Sequence, residues 1–315
     1  MNKRILGSQG PGLTEIGFGT WAIGGPWEYG WGPVDDEQSV KAIHSALDLG
    51  ANWIDTAAVY GLGHSEEIVA RAIRGRRKNI FIATKCGMVW DDSRRVKIRA
   101  SPESILKEIG DSLRRLQTDY IDLYQIHWHD PETQVEDSWG TLTRLKEQGK
   151  VRYIGVCNYD VPLLEKCGTV APVQSLQPPY NLLRRNIEKD ILPYCLEHNI
   201  GVIAYSPMQA GLLSGNFDFN KLAPDDWRRK NQYYQEPILS KAAQFVEQIR
   251  PIADKYNKTV GQIAVAWVLN HPAITSAIVG ARSALQVEKN VGASGYALRK
   301  EDIQAIEEAV QSAMA

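Results

Sequence analysis

Eight short apolar runs, separated by longer amphipathic stretches, constrain this chain's fold more than any other feature. The runs are Glu15–Gly19, Asn52–Thr56, Ile80–Thr84, Ile121–Ile126, Arg152–Cys157, Val173–Gln177, Gly201–Tyr205 and Thr275–Val279. Their length and β-branched content fit strands buried on both faces, which read as continuous apolar runs. Between them lie helical patterns. Asp35 and Gln38 read as a capping box, followed by an apolar stripe of Val40, Ile43 and Leu47 and a stop at Gly50. Glu66–Arg74 is the second helix, and Ser101-Pro102 opens a third carrying Ile105, Ile109, Leu113 and Leu116. Glu136–Gln148, Asp160–Cys167, Asn186–His198, Lys241–Tyr256 and Thr259–His271 follow. Ser283 with Gln286 reads as a second capping box, and Glu301–Ser312 is the last helix.

Strand–helix units in unbroken succession call for one parallel sheet covered by helices. The natural closed form is a (β/α)8 TIM barrel of class α/β, occupying 1–315 as a single domain. A doubly wound open sheet is the alternative, but no Gly-x-Gly-x-x-Gly follows the first strand. With 43% hydrophobic and 23% charged residues, the chain has the material for a large core. A formal net charge of −1 argues against a general nucleic-acid or anionic-membrane binder. No apolar run approaches the roughly 18 residues of a membrane span. Lys3 and Arg4 are followed by the polar, glycine-rich segment 7–12, which is not a secretory signal. Cys86, Cys157, Cys167 and Cys195 lack metal-type spacing and fit reduced thiols, so a soluble cytoplasmic protein is expected.

Three connections are long: 22–34 with Trp27, Tyr29 and Trp31; 86–100 with Trp90; and 207–239 with Trp227, Tyr233 and Tyr234. All follow strands, so they belong to the barrel face where active sites are built, as a pocket rim or lid. Polar residues interrupt the ends of the same strands. Asp55, Lys85, His127, Asn158, Gln177 and Tyr205 stand at the ends of the second to seventh, and Gly280–Arg282 follows the eighth. All would face one mouth.

Their chemistry is specific. A free tyrosine, with pKa near 10, is a poor proton donor. A neighbouring lysine cation favours the phenolate and lowers that pKa. Asp55 would hold Lys85 charged, and a neutral His127 would orient a substrate oxygen. Tyr60, Lys85, Asp55 and His127 thus read as a group that protonates a carbonyl oxygen while hydride reaches carbon. No side chain donates hydride, so a nicotinamide cofactor is required.

These residues lie in segments that resemble the aldo-keto reductases. Phe18-Gly19-Thr20-Trp21, Trp53 to Gly61, Ser65-Glu66, Ala83-Thr84-Lys85, Asp122 to His127 and Ile154 to Asn158 carry the likeness. It continues through Gln177 to Asn181, Tyr205-Ser206-Pro207-Met208, Gly280-Ala281-Arg282 and Gln286 to Asn290. The pattern is similar to the bacterial branch of inositol-operon and general-stress reductases. The resemblance implies Tyr60 as general acid supported by Asp55, Lys85 and His127, with NADPH (NADH less favoured) bound extended. It places the carboxamide on Asn158 and Gln177, the nicotinamide face on Tyr205, the pyrophosphate on Ser206, Pro207, Met208 and Leu213, and the adenosine end on Arg282, Gln286 and Asn290. Gly19, Thr20, Trp21, Asp55, Gly211 and Gly280 complete that set. Arg282 pairing with a 2′-phosphate would select NADP over NAD. Trp21, Trp27, Trp31, Trp90 and Trp128 are the expected substrate pocket for a small aldehyde or ketone, and such an aromatic rim suits sugar aldehydes and aromatic aldehydes equally. Cys157 stands where serine is frequent. Asn216 stands where many relatives carry lysine, which removes a phosphate contact. Nothing in the sequence sets an oligomeric state.

Three rivals follow from the same residues. His127 and His129, two apart on a strand, could ligate zinc in a barrel hydrolase, although no metal is expected. Lys85 could form a Schiff base, against the charge that Asp55 imposes on it. A nucleotide-sensing binding subunit with slow turnover is the third.

Overall fold

The computed structural model describes residues 1–314. All eight expected runs form strands, and they close into one parallel barrel. In chain order the elements begin with a small hairpin, β1 (Lys3–Ile5) and β2 (Gly12–Thr14). The barrel strands are β3 (Ile16–Gly19), β4 (Trp53–Asp55), β5 (Phe81–Cys86), β8 (Ile121–Ile126), β9 (Val151–Cys157), β10 (Ser175–Gln177), β11 (Gly201–Ala204) and β12 (Ile274–Gly280). They pair in that order, and β12 pairs back onto β3 through Ala277–Ile16 to Gly280–Gly19. A second hairpin, β6 (Met88–Trp90) with β7 (Val96–Ile98), lies outside the barrel.

Helices α1 (Asp36–Asp48), α2 (His64–Ile73), α3 (Pro102–Leu116), α4 (Val135–Glu147), α5 (Val161–Gly168) and α6 (Ile191–Glu197) cover the outside. So do α7 (Ile238–Lys255), α8 (Val260–Asn270), α9 (Ala284–Val291) and α10 (Lys300–Met314). Boundaries differ from expectation by one to three residues, except that 186–198 divides into a short 3-10 turn at Asn186–Glu188 and then α6. Asp35 caps α1 by accepting from the amides of Glu37 and Gln38, but the Gln38 side chain does not complete the box. At α9 the Ser283 hydroxyl caps Gln286, but the Gln286 side chain takes the Arg282 amide instead of the cap residue's own. The reciprocal box is at Thr259 and Gln262, opening α8.

Strand alternation decides what fills the barrel. Trp53, Ala83, Leu123, Ile203 and Ile278 form a buried inner cluster with Leu6 and Leu13 of the N-terminal hairpin, which stops the lower end. Gly17 is obligatory there, because a Cβ would lie 2.0 Å from the Trp53 ring. Side chains two residues further along a strand share its face. Asp55 therefore stands one layer above Trp53, Lys85 above Ala83, Gln125 above Leu123 and Gln177 above Ser175. The same period places the polar layer at the C-terminal mouth.

Both hairpins depart from the sequence reading. The first was not expected, because its strands have three residues each. The second lies in the long connection 86–100. Asp91 makes that turn: its carboxylate takes the Arg95 amide, and Arg94 adopts φ 63°. Connection 207–239 is likewise not featureless, but a chain of 3-10 turns at Gln209–Gly211, Phe219–Lys221, Trp227–Lys230 and Gln232–Tyr234. Among the described residues, no helix is long and apolar enough to cross a membrane. All four cysteines are unpaired and buried.

Candidate active site

A cavity of about 1640 Å³ opens at the C-terminal mouth of the barrel. At its floor, Lys85 Nζ donates to Asp55 Oδ1 at 2.7 Å, to the Thr56 carbonyl at 2.8 Å and to the Tyr60 hydroxyl at 3.2 Å. Gln177 Nε2 donates to the other Asp55 oxygen at 2.8 Å. The His127 ring meets Tyr60 edge-on, with centroids 5.8 Å apart. Asn158 donates to the His127 carbonyl at 3.1 Å and accepts from the Tyr205 hydroxyl at 2.9 Å. Six strand ends, those of β4, β5, β8, β9, β10 and β11, and the segment after β4 thus meet around Tyr60, whose hydroxyl is bonded by Lys85.

Tyr60 is not on a strand, and its placement has a local cause. Ser65 bonds the hydroxyls of Thr20 and Thr56, while Glu66 takes Thr84 and Arg115. These bonds fasten the start of α2, and the Ser65 amide donates to the Tyr60 carbonyl. Gly61 has φ 62°, and a Cβ there would sit 1.8 Å from the Gly24 carbonyl. Only glycine permits the chain to turn beside Tyr60.

The electrostatics correct one expectation. Burial pushes the Tyr60 phenol up from its usual value. The Lys85 cation pulls it down and Asp55 pushes it up, so the net shift is upward. The phenol keeps its proton throughout neutral pH, because loss of solvation outweighs one nearby cation. Burial alone would lower Lys85, but Asp55, Tyr60 and Cys157 drive it upward, so it stays charged. With three oxygen acceptors on Nζ, it presents N–H groups and not a lone pair, which disfavours a Schiff base. Burial raises Asp55, opposed by Lys85 and Gln177. Burial and the Lys85 charge hold His127 well below the ordinary histidine value. Its imidazole is therefore neutral at and above pH values where free histidine titrates. A ¹⁵N NMR titration should show the His127 ring still uncharged at about pH 6.5, where a free imidazole is half charged. A midpoint at the free value would contradict this environment.

The rival metal site is not assembled. The His129 ring packs on Tyr159 at 5.9 Å, away from the Tyr60 contact of His127. Among the described residues, no three His, Cys, Asp or Glu side chains cluster as metal ligands.

Most expected site residues share the cavity wall: Gly19, Trp21, Asp55, Tyr60, His127, Asn158 and Gln177, then Tyr205 to Met208, Gly211, Gly280, Gln286 and Asn290. Lys85 lies behind Tyr60, fully buried. Three residues of the cofactor set are not on the wall. Thr20 is buried, with its hydroxyl spent on Ser65. Leu213 is in the apolar core. Arg282 turns its guanidinium onto the carbonyls of Pro33 and Trp31, at 2.6 and 3.4 Å. Of the pocket tryptophans, Trp21, Trp27, Trp31 and Trp128 line the cavity. Trp90 does not; its ring lies 5.8 Å from the Arg115 guanidinium, while Met88, Val96 and Ile98 of the same hairpin line the cavity. Asn216 lines the wall, bonded to Ser214.

Sequence reasoning missed several wall residues. Arg228 packs 4.6 Å over the Trp31 ring and bonds Asp226 and the Ala210 carbonyl. Trp227, expected on the rim within connection 207–239, does line the wall and contacts Trp21 with centroids 5.4 Å apart. Arg184, Gln209 and Lys289 also face the cavity. The Asp226-x-Arg228 spacing was a readable turn signal, but nothing in it said that the turn would fold back over the barrel.

The comparisons bear on the family and the fold. The model of the Aldo/keto reductase family matches residues 15–311. Aldo-keto reductase YhdN of Bacillus subtilis (strain 168) is 38% identical over 306 residues, covering 96% of this chain and 91% of that protein. The NADH-specific methylglyoxal reductase of Escherichia coli (strain K12) is 34% identical, covering 96% of each. The structure of the glycerol dehydrogenase AKR11B4 from Gluconobacter oxydans superposes with a TM-score of 0.91 at 39% identity, covering 99% of this chain and 95% of that one. With the (β/α)8 barrel closed and the family matched over nearly its whole length, the chain belongs to the aldo/keto reductase family and is an NAD(P)H-dependent oxidoreductase acting on carbonyl groups.

Proposed function

We propose that this protein reduces a small, oxygen-rich aldehyde or ketone with NADPH, and that Tyr60 gives the proton. The observation that carries the reading is the chain Asp55–Lys85–Tyr60, which ends on a hydroxyl at the wall of an aromatic cavity. Bound there, a nicotinamide would supply the hydride. Asn158 and Gln177 are the amide groups that would hold its carboxamide, and Tyr205 is the ring that would lie against it. The donor set at the far end also suits a dinucleotide. The Ser283 cap of α9 adds a helix N-terminus.

Tyr60 keeps its proton until substrate arrives. As charge grows on the carbonyl oxygen, the phenol transfers the proton, and the charged Lys85 stabilises the phenolate left behind. Asp55 holds Lys85 in place through one oxygen and is itself fixed by Gln177. The neutral His127 is a second donor for the substrate oxygen. Trp21, Trp27 and Trp31 offer aromatic faces for the apolar side of a polyol or sugar, in keeping with glycerol and methylglyoxal in the relatives' names.

The test is cofactor consumption over a panel of hydroxyaldehydes, dicarbonyls and aromatic aldehydes, with NADPH and NADH in parallel. Oxidation of NADPH by no member, despite tight nucleotide binding, would overturn the reading in favour of a sensing subunit. Cofactor choice has its own test. A charge-assisted hydrogen bond is worth roughly 1.5–3 kcal/mol. Arg282→Ala should therefore raise the Kd for NADPH by about tenfold or more and leave that for NADH nearly unchanged. Equal losses in a binding titration would show that Arg282 does not read the 2′-phosphate.

A further inference from the structure

We propose that Arg282 is a positioning residue that couples the adenosine end of the cavity to the substrate-side loop 22–34. The inference rests on the cofactor reading above and adds a consequence to it. Loop 22–34 carries Trp27, whose ring lies 6.1 Å from that of Tyr60, and Trp31, whose ring lies 5.9 Å from that of Trp21. Three arginines from three other βα connections hold this loop. Arg94 donates to the Pro26 carbonyl at 3.1 Å. Arg228 covers the Trp31 ring. Arg282 holds the far end through the carbonyls of Pro33 and Trp31.

Arg282 differs from Arg228 in one respect. Arg228 is committed, because its guanidinium is paired with the Asp226 carboxylate. Both side-chain partners of Arg282 are neutral carbonyls. A guanidinium has five N–H donors, and these two bonds leave others for an anion. Its backbone is fixed at the cavity edge: the Arg282 amide donates to Gln286 Oε1 at 2.7 Å, and its neighbours Ala281 and Ser283 line the cavity. A phosphate at that end would share the guanidinium with loop 22–34 and hold it in the orientation that grips the loop. Occupancy at one end of the cavity then restrains the tryptophans at the other.

The probe is adenosine 2′,5′-bisphosphate, which has the 2′-phosphate but no nicotinamide; AMP is the control. Hydrogen exchange is followed in peptides covering 22–34. The bisphosphate should slow exchange there by about fivefold or more, the lower end of ordinary coupling between sites, and AMP should not. Arg282→Lys separates the two roles, because one ammonium keeps the charge but cannot span two carbonyls and a phosphate. This variant should bind the bisphosphate by calorimetry yet leave the loop's exchange unchanged, and Arg282→Ala should lose both. Protection of the loop in the Lys variant equal to wild type, or binding to wild type without protection, would overturn the coupling alone. A wild-type chain that does not bind the bisphosphate would overturn the cofactor reading as well.

Discussion

Tyr60→Phe should lower kcat for carbonyl reduction by about 10²–10⁴-fold, the range of a single positioned general acid. The ring would remain between Trp27 and His127, so the cavity wall keeps its shape. NADPH binding should stay within roughly twofold, about 0.5 kcal/mol. The hydroxyl is the atom that Lys85 addresses, and no other phenol lies on that bond chain. The pH dependence follows from the direction of its shift. Because the folded phenol titrates above its ordinary value, reduction, which needs the proton, should stay level through neutral pH and fall only in strong alkali. Oxidation of the alcohol, which needs the phenolate, should rise with pH over the same range. Stopped-flow single turnovers with a responsive aldehyde, with nucleotide titration in parallel, measure both quantities. A Phe variant retaining a tenth of the wild-type rate would end the assignment of Tyr60 as the acid.

The barrel was legible because its strands are buried on both faces and its helices, α8 apart, on one. Those two kinds of burial leave different periods in the residues, and all eight strands showed them. The mouth was legible for a related reason. Apolar runs that each end in Asp, Lys, His, Asn or Gln have few structural explanations, and strand alternation fixes where those side chains point. Legibility failed where position depends on distant parts of the chain. The hairpin that seals the barrel has strands too short to show a pattern, and Leu6 and Leu13 look like any apolar pair until Trp53 and Leu123 stand above them. Arg282 was readable as a cation just after the eighth strand. Its carbonyl partners lie 249 and 251 residues away, beyond any local signal. Trp90 failed similarly: the Arg115 beside its ring lies on a separate helix. The pKa of Tyr60 could not be read from neighbours in sequence, because the deciding quantity was lost hydration.

Lys85→Met should be the most damaging single change to both stability and turnover. The Lys85 and Asp55 side chains are 0% and 3% exposed, so their 2.7 Å pair is shielded from solvent. Removing one partner of a buried pair typically costs about 3–5 kcal/mol, because the other charge is left uncompensated. Gln177 would remain as one hydrogen bond to Asp55 and cannot replace a cation. The remaining carboxyl would hold its proton more tightly in the folded chain than in the unfolded one. A folded state that binds the extra proton loses stability as pH rises from the unfolded pKa, near 3.9, through the raised folded value. The deficit against wild type should therefore be small near pH 4 and largest at neutral pH and above. Thermal unfolding across that range measures it. Lys85→Met/Asp55→Asn tests the cause: two neutral side chains of similar size should recover most of the lost stability, since replacing a whole buried pair is often neutral. Activity should not return, because no cation would then stabilise the Tyr60 phenolate. A single variant as stable as wild type at neutral pH, or a double variant less stable than the single, would show that the pair is not what holds this floor together. Recovery of turnover in the double variant would show that Tyr60 needs no cation beside it, and would move the source of its acidity elsewhere in the cavity.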